Sequence, residues 1–157
     1  MNKTQNQNKE ELVVLAIENG TVIDHIPADK LFQVIKALDL RNYTDQILMG
    51  NNLASHKLGK KGIIKCQDRF FAKNEINKIA LITPHATLIT IRNYDVVEKI
   101  KIGIPDTIEG MVQCYNPKCI TNNESVLQKF DVIDKIDIKL QCYYCQKITK
   151  KETLNFL

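Results

Sequence analysis

Four of the five cysteines in this chain form two close pairs, and they are the residues with the clearest capacity for chemistry. Cys114 and Cys119 are separated by four residues, Cys142 and Cys145 by two, and 22 residues lie between the pairs. Each pair can fold into a tight knuckle that aims both sulfurs at one point, and four thiolates satisfy a tetrahedral zinc ion. The spacing therefore predicts one structural zinc site.

Other uses of these cysteines are less compatible with the surrounding sequence. The first ten residues are polar and lack the apolar core of a secretion signal, so we expect a reducing cytoplasm in which disulfides are rare. A redox Cys-x-x-Cys opens a helix, whereas Cys142 follows a strand-like run, 136–140. Because four thiolates close the metal shell, the zinc is expected to do no catalysis. The fifth cysteine, Cys66, is expected to be a small buried hydrophobe.

Composition and charge limit the class of protein. The 157 residues are 44% hydrophobic and 25% charged, which is typical of a soluble globular protein. No apolar run approaches the roughly 20 residues needed to cross a bilayer, so we expect a cytoplasmic protein without a membrane contact.

The charge of the cysteine-rich segment argues against nucleic acid as a partner. The net charge of the whole chain is +4, but residues 101–157 contain eight Lys against seven Asp or Glu. Four thiolates and one Zn²⁺ would take this segment to about −1, whereas a zinc module that grips nucleic acid is clearly basic. A stand-alone zinc ribbon that binds RNA or DNA through Lys57–Lys65 remains the alternative prediction.

Hydrophobic periodicity predicts alternating strands and helices along the first hundred residues. The predicted limits are 12–17 (strand), 21–26 (extended), 28–38 (helix), 46–49 and 61–66 (strands), 73–82 (helix) and 86–92 (strand). Strand, helix, strand, strand, helix, strand is the order of the ferredoxin-like βαββαβ arrangement, with both helices on one face of an antiparallel sheet.

The pattern changes near residue 100, where Gly and Pro interrupt the periodicity. We predict a flexible tail over 1–10, a first domain over 11–99, a linker over 100–109 and a zinc domain over 110–157. The last of these is too short for a self-sufficient core, so short strands at 126–132, 136–140 and 152–156 are expected to depend on the metal. The predicted fold class is α+β, a ferredoxin-like domain followed by a small all-β zinc domain.

The first domain contains no recognisable catalytic pattern. Its three histidines fall in no Ser/His/Asp or Cys/His arrangement, and there is no Walker loop or Gly-x-Gly-x-x-Gly. Lys61 and Lys65 are four apart in an extended stretch, so they share one face with Ile63 and could bind an anion. Alternatively, these lysines protect a solvated edge strand.

Three motifs and the cysteine spacing carry a resemblance to a known family. They are GTVIDHIP at 20–27, GKKGIIK at 59–65, NYDVV at 93–97 and the Cys-x₄-Cys…Cys-x₂-Cys pattern. With these in one order, the chain resembles the regulatory chain of aspartate carbamoyltransferase. The resemblance implies a non-catalytic subunit whose first domain binds nucleotides and whose zinc domain docks on the catalytic chain. It also implies that CTP inhibits and ATP activates an enzyme of pyrimidine biosynthesis, and that regulatory dimers bridge catalytic trimers.

The resemblance assigns roles to individual residues of the first domain. It implies that Asp24 holds the ribose of the nucleotide. The residues implied to face its phosphates are His25, Lys65 and Lys99, with Lys61 as a further neighbour. Those implied to line the base pocket are Val14, Ala16, Ile17, Tyr94 and Val96. Leu15 and Ile89 stand where the family is expected to carry polar residues, which predicts rearranged contacts to the base.

Overall fold

The computed structural model describes residues 16–157. The predicted tail 1–10 and most of the predicted strand 12–17 lie outside these residues, and Ala16 and Ile17 themselves are not in a strand. The chain forms two compact units. The first runs to Ala72 and resumes over His85–Ile102, and the second comprises Lys73–Pro84 and Gly103–Leu157. Within residues 16–157, no helix combines the length and apolar character needed to span a membrane.

The first unit is built on a five-stranded antiparallel sheet. Its elements are β1 (Gly20–Pro27), α1 (Leu31–Ala37), β2 (Ile47–Ser55), β3 (Gly59–Gln67), β4 (Thr87–Arg92) and β5 (Asp95–Lys101). The strand order is β2-β3-β1-β4-β5, and α2 (Lys73–Ile82) lies between β3 and β4 in the chain. Since β3 separates β1 from β2, this is the split βαβ arrangement, and the predicted ferredoxin-like class is confirmed.

Side-chain alternation in β3 places apolar residues on one face of the sheet and lysines on the other. Ile64 and Cys66 are fully buried, while Lys61, Ile63 and Lys65 alternate with them on the other face. The two lysines therefore share a face as predicted. The edge-strand alternative is wrong, because β3 lies between β2 and β1.

The predicted limits of two strands in this sheet are too short, and a third strand was not predicted. The strands predicted at 46–49 and 61–66 left the polar stretch 51–60 outside any strand, but β2 runs to Ser55 and β3 begins at Gly59. A bulge between Gly50 and Leu53, with Asn52 at φ +58°, lets the strand contain these polar residues. Strand β5 was not predicted, because all seven of its residues are exposed and no apolar alternation marks them.

The second unit contains a four-stranded antiparallel sheet. Its strands are β6 (Thr107–Glu109), β7 (Lys129–Asp134), β8 (Lys139–Cys142) and β9 (Ile148–Lys150), in the order β6-β7-β8-β9. The strand predicted at 136–140 begins only at Lys139, since Ile136 lies in a turn and is 92% exposed. The strand predicted at 152–156 is also wrong. A 3-10 turn occupies Lys151–Thr153, and Phe156 forms a single bridge with Val112.

Helix α2 belongs to this second unit. Its Leu81 packs in one buried cluster with Phe130 and Leu140, and the ammonium group of Lys78 donates a 3.2 Å hydrogen bond to the Leu157 carbonyl oxygen. The predicted linker 100–109 contains the end of β5 and all of β6. The compact units thus divide the chain differently from the predicted domains, and the limits of those domains stay a prediction.

Gly20 offers a test of the packing between β1 and β3. It adopts φ +135°, and a Cβ there would collide with the Cys66 carbonyl oxygen and lie 2.9 Å from the Asp68 backbone nitrogen. We expect Gly20→Ala to lower the free energy of unfolding by about 2 to 4 kcal/mol in urea titrations followed by circular dichroism. Gly103→Ala, with no atom within 4 Å of the added Cβ, is the control and should change it by less than about 0.5 kcal/mol. Equal stability of both variants would contradict the observed register.

Candidate functional site: a metal centre and a charged sheet face

The four paired cysteines come together in the second unit. Their sulfur atoms lie within 4.8 Å of one another, with Cys114 Sγ 3.6 Å from Cys145 Sγ and Cys119 Sγ 3.7 Å from Cys142 Sγ. A tetrahedral zinc ion with Zn–S bonds of about 2.3 Å requires sulfurs about 3.8 Å apart. All four are free thiols, so the disulfide alternative is wrong, and the cluster fits one metal ion.

Each cysteine pair is positioned by a turn that its own sequence favours. In the first knuckle, the backbone N–H of Cys119 donates to the Asn116 carbonyl oxygen at 3.0 Å. In the second, Cys142 ends β8, and the N–H of Gln146, at φ +61°, donates to the Cys142 carbonyl oxygen. These turns bring each pair of sulfurs to a common point, as the sequence predicts.

The electrostatics of the cluster fit a cationic occupant. Burial raises the pKa of the Cys114 and Cys142 thiols, so these sulfurs require nearby positive charge to become thiolates. Burial also disfavours the Cys145 thiolate, but hydrogen bonds from the Lys147 backbone and the Asn116 side chain outweigh it and lower the pKa of Cys145 to about 7. A divalent metal supplies the missing charge, and its chemistry here is to cross-link the fold.

Cys66 lies in the first unit and is not one of the clustered cysteines. Its side chain is fully buried, and burial raises the pKa of its thiol to about 11. A thiol in this state is a poor nucleophile, in agreement with the predicted packing role.

A partly buried ion pair lies on the face of the first sheet that carries Lys61 and Lys65. The Lys61 ammonium donates a 2.8 Å hydrogen bond to Asp24 Oδ1, and the backbone N–H of His25 donates to the same oxygen at 2.6 Å. Burial alone would raise the pKa of Asp24, but these donors, Lys61 first, outweigh it and lower the pKa below its ordinary value. The carboxylate is therefore held in its charged form at neutral pH.

Asp24 and His25 lie in a β-bulge that interrupts the ladder between β1 and β3. The register between β1 and β3 shifts between Ile23 and Ile26, and His25 adopts φ +57°. A non-glycine residue in this conformation is strained, and such strain concentrates at functional sites. The Nδ1 atom of His25 is buried, and no residue in the described part of the chain hydrogen-bonds to it.

Two more of the predicted residues lie on the same face, in one row across the sheet. Lys65 is opposite Val22, Val22 is opposite Ile89, and Ile89 is opposite Lys99. Directly opposed residues of antiparallel strands project to the same side. Burial lowers the pKa of Lys65, and the charge of Asp24 partly opposes this effect. The structure thus brings Asp24, Lys61, Lys65 and Lys99 to one face.

The implied base pocket is distributed around the β4–β5 hairpin. Tyr94 lies in its turn with φ +67° and is 64% exposed, and Val96 is 61% exposed on β5. Ala16 is exposed, whereas Ile17 is buried in an apolar cluster beside Val22. Val14 and Leu15 lie outside the described residues. Tyr94 and Val96 thus lie at the protein surface, whereas Ile17 lies in the interior.

Sequence reasoning missed the residue that anchors this hairpin. The Asn19 side chain accepts a 3.1 Å hydrogen bond from the Asn93 N–H, and the Glu18 carbonyl oxygen accepts one from the Tyr94 N–H at 2.9 Å. Asn93 and Tyr94 both have positive φ, as a type I′ hairpin turn requires. The sequence did carry a signal for the hairpin turn, since Asn93 stands between two runs of β-branched residues, but it carried none for the contact with Asn19.

Comparison with known families decides the identity of this arrangement. A model of the aspartate carbamoyltransferase regulatory chain, allosteric domain, matches residues 12–103, and a model of the metal binding domain of the same chain matches residues 106–155. The chain belongs to the family of aspartate carbamoyltransferase regulatory chains. It is therefore a regulatory rather than a catalytic subunit, as predicted, and its four-cysteine cluster is the metal site of that family's second domain.

Individual relatives of the regulatory-chain family match along almost their whole length. The regulatory chain of Bacteroides fragilis is 50% identical over 151 residues, covering 96% of this chain and 99% of that protein. That of Phocaeicola vulgatus is 51% identical over 150 residues, covering 96% and 97%. That of Pyrococcus abyssi is 49% identical over 146 residues, covering 92% and 96%. Both units of the chain thus have counterparts in bacterial and archaeal members.

The ion pair at Asp24 predicts a specific dependence of stability on pH. Because the folded-state pKa of Asp24 is lowered, the stability it contributes is present above its ordinary value of 3.8 and is lost as pH falls through the folded value. We expect Asp24→Asn to lose about 1 kcal/mol at pH 7 and to flatten the acid limb of a plot of unfolding free energy against pH. Lys61→Gln should do the same. An unchanged acid limb in both variants would contradict this electrostatic account.

Proposed function

We propose that this chain is the effector-binding subunit of an aspartate carbamoyltransferase. On this proposal it binds nucleoside triphosphates on the sheet face of its first unit that carries Lys61 and Lys65. It docks on the catalytic chain through its second unit. The observation that supports it most directly is the bulge at Asp24 and His25, with its ion pair to Lys61 and two further lysines on the same face. Chain 12–103 matches a domain described as allosteric, which calls for a ligand site there.

The charges of this face suit a triphosphate ester of ribose. Both the Lys61 ammonium and the His25 backbone N–H donate to Asp24 Oδ1, and we propose that Oδ2 accepts a ribose hydroxyl. His25, Lys65 and Lys99 then supply donors and positive charge for the phosphates, with Lys61 beside them. In this arrangement the Lys61–Asp24 pair fixes the carboxylate beside the phosphates.

The base is proposed to lie against Tyr94 and Val96, with the backbone of 14–17 along its edge. Ile89 belongs to the apolar cluster under this region and offers no side-chain hydrogen bond. Discrimination between CTP and ATP would then depend on backbone groups and on shape. The resemblance implies that CTP inhibits and ATP activates, and we propose this assignment here.

Regulation follows if the two effectors prefer different quaternary arrangements. An effector with equal affinity for both arrangements would shift nothing, so CTP and ATP must differ in which one they favour. Couplings of this kind are typically about 1 to 3 kcal/mol. We propose cytoplasmic hetero-oligomers in which homodimers of this chain bridge catalytic trimers and thereby control pyrimidine biosynthesis.

The second unit is proposed to provide the docking surface. It carries large apolar side chains that are more than 40% exposed, among them Tyr115, Leu127, Ile136, Tyr143 and Ile148. Contiguous exposed apolar patches mark protein interfaces, and we propose that these side chains form such a patch. The metal would then act indirectly, by giving these side chains a fixed arrangement.

Nucleotide titration tests the first half of the proposal. We expect CTP and ATP to bind the purified chain saturably in calorimetry, alone or with the catalytic trimer, and Lys65→Gln and Asp24→Asn each to weaken binding about tenfold. Lys60→Gln is the matched control, since alternation along β3 places Lys60 on the opposite face from Lys61. No binding in either sample would refute the proposal. Binding of single-stranded oligonucleotide instead would favour the zinc-ribbon alternative.

Removal of the metal tests the second half. A thiol-specific mercurial should release one metal ion per chain and abolish co-purification with untagged catalytic chain, because the docking unit loses its shape. The same treated sample should still bind nucleotide, since none of the implied nucleotide residues lies in that unit. Continued assembly after metal release would contradict this division of roles.

A further inference from the structure

The loop that follows Cys119 carries two asparagines whose side chains grip the first knuckle. The Asn122 carboxamide nitrogen donates two hydrogen bonds, each 2.8 Å, to the carbonyl oxygens of Cys114 and Asn116. The Asn123 carboxamide nitrogen donates to those of Pro117 at 3.0 Å and Cys119 at 2.7 Å. Both protons of each amide are therefore used, and four carbonyl groups of a six-residue knuckle are held from one side.

A short 3-10 turn over Ile120–Asn122 directs these side chains back toward the knuckle. The N–H of Asn122 donates to the Cys119 carbonyl oxygen at 3.0 Å and that of Asn123 to the Ile120 carbonyl oxygen at 3.1 Å. Within the same turn, the buried Thr121 hydroxyl donates to Cys119 Sγ at 3.2 Å. One turn of chain thus contacts both the backbone of the knuckle and one of its sulfurs.

We propose that Asn122 and Asn123 are positioning residues of the metal centre, which hold the 114–119 knuckle in the shape that binds the ion. In the described part of the chain the Asn122 and Asn123 carboxamides donate to carbonyl oxygens and not to sulfur, so both act through the backbone that carries Cys114 and Cys119. A knuckle fixed in advance does not have to be ordered by the metal, and it reopens more slowly. Outer groups that orient metal ligands typically contribute about 10- to 100-fold in affinity.

The structure supplies a control of the same residue type. Asn155 lines the same cavity of about 430 Å³ as Asn122, but its carboxamide donates to the Gln113 side-chain oxygen and to no carbonyl of the knuckle. Substitution of Asn155 by Ala therefore removes a carboxamide from the same cavity without removing a hydrogen bond to the knuckle. Asn123 is exposed, so its substitution removes hydrogen bonds with little change in packing.

The test is the rate of zinc release from the full chain to an excess of a chromophoric chelator. We expect Asn122→Ala and Asn123→Ala to release zinc about tenfold faster than the parent chain, and Asn155→Ala within about twofold of it. With Co²⁺ in place of zinc, both knuckle variants should show altered thiolate-to-metal absorption, which a merely structural role would leave unchanged. If Asn122→Ala does not fold, the exposed Asn123 decides the outcome.

Isosteric variants separate hydrogen bonding from the filling of space. Asn123→Asp keeps the size of the side chain but lacks the two amide protons, so it should release zinc at least as fast as Asn123→Ala. Asn155→Asp controls for the added negative charge. Release at the parent rate from both Asn122→Ala and Asn123→Ala, with unchanged cobalt spectra, would overturn the proposal.

Discussion

The convergence of four sulfurs on one point is the constraint on which the second unit depends. Three of these cysteines are buried in the same cluster as Phe130 and Leu140, so the metal centre is part of the core. Thiolates in such a place require a cation, and a cation in turn cross-links two knuckles that are 22 residues apart in sequence. The strands of this unit are short and its apolar cluster is small, so the metal adds a cross-link that its interior otherwise lacks.

In the first unit, the corresponding constraint is the charged Asp24 carboxylate on the face of the sheet. Regular pairing would leave Asp24 without a donor from its own strand, but the bulge turns the His25 N–H onto the carboxylate, and Lys61 completes the pair. The strained backbone of His25 is therefore tied to the electrostatics of the site. Metal and ion pair thus serve separate units, in keeping with the family's division into an allosteric and a metal binding domain.

The errors in the predicted elements share a physical cause. Strand β5 has no buried face, so its side chains carry no period-two signal, and the polar stretch in β2 is accommodated by a bulge that propensity does not reveal. Phe156 was expected in a regular strand, yet it reaches a single bridge to Val112 because a 3-10 turn intervenes. Hydrophobic periodicity in a sequence reflects which side chains are buried. Elements without a clearly buried face therefore cannot be predicted from it.

The sequence by itself determined the metal chemistry and the fold class, because thiol spacing, turn residues and apolar alternation are local features of the chain, and its motifs carried the resemblance to the family. Tertiary structure alone decided which lysine pairs with Asp24, that Lys65 and Lys99 share a row across four strands, and that Asn122 and Asn123 grip the knuckle. Those contacts depend on strand register, on the bulge at Asp24 and His25, and on the 3-10 turn over Ile120–Asn122. A shift of one residue would send each side chain to the other face.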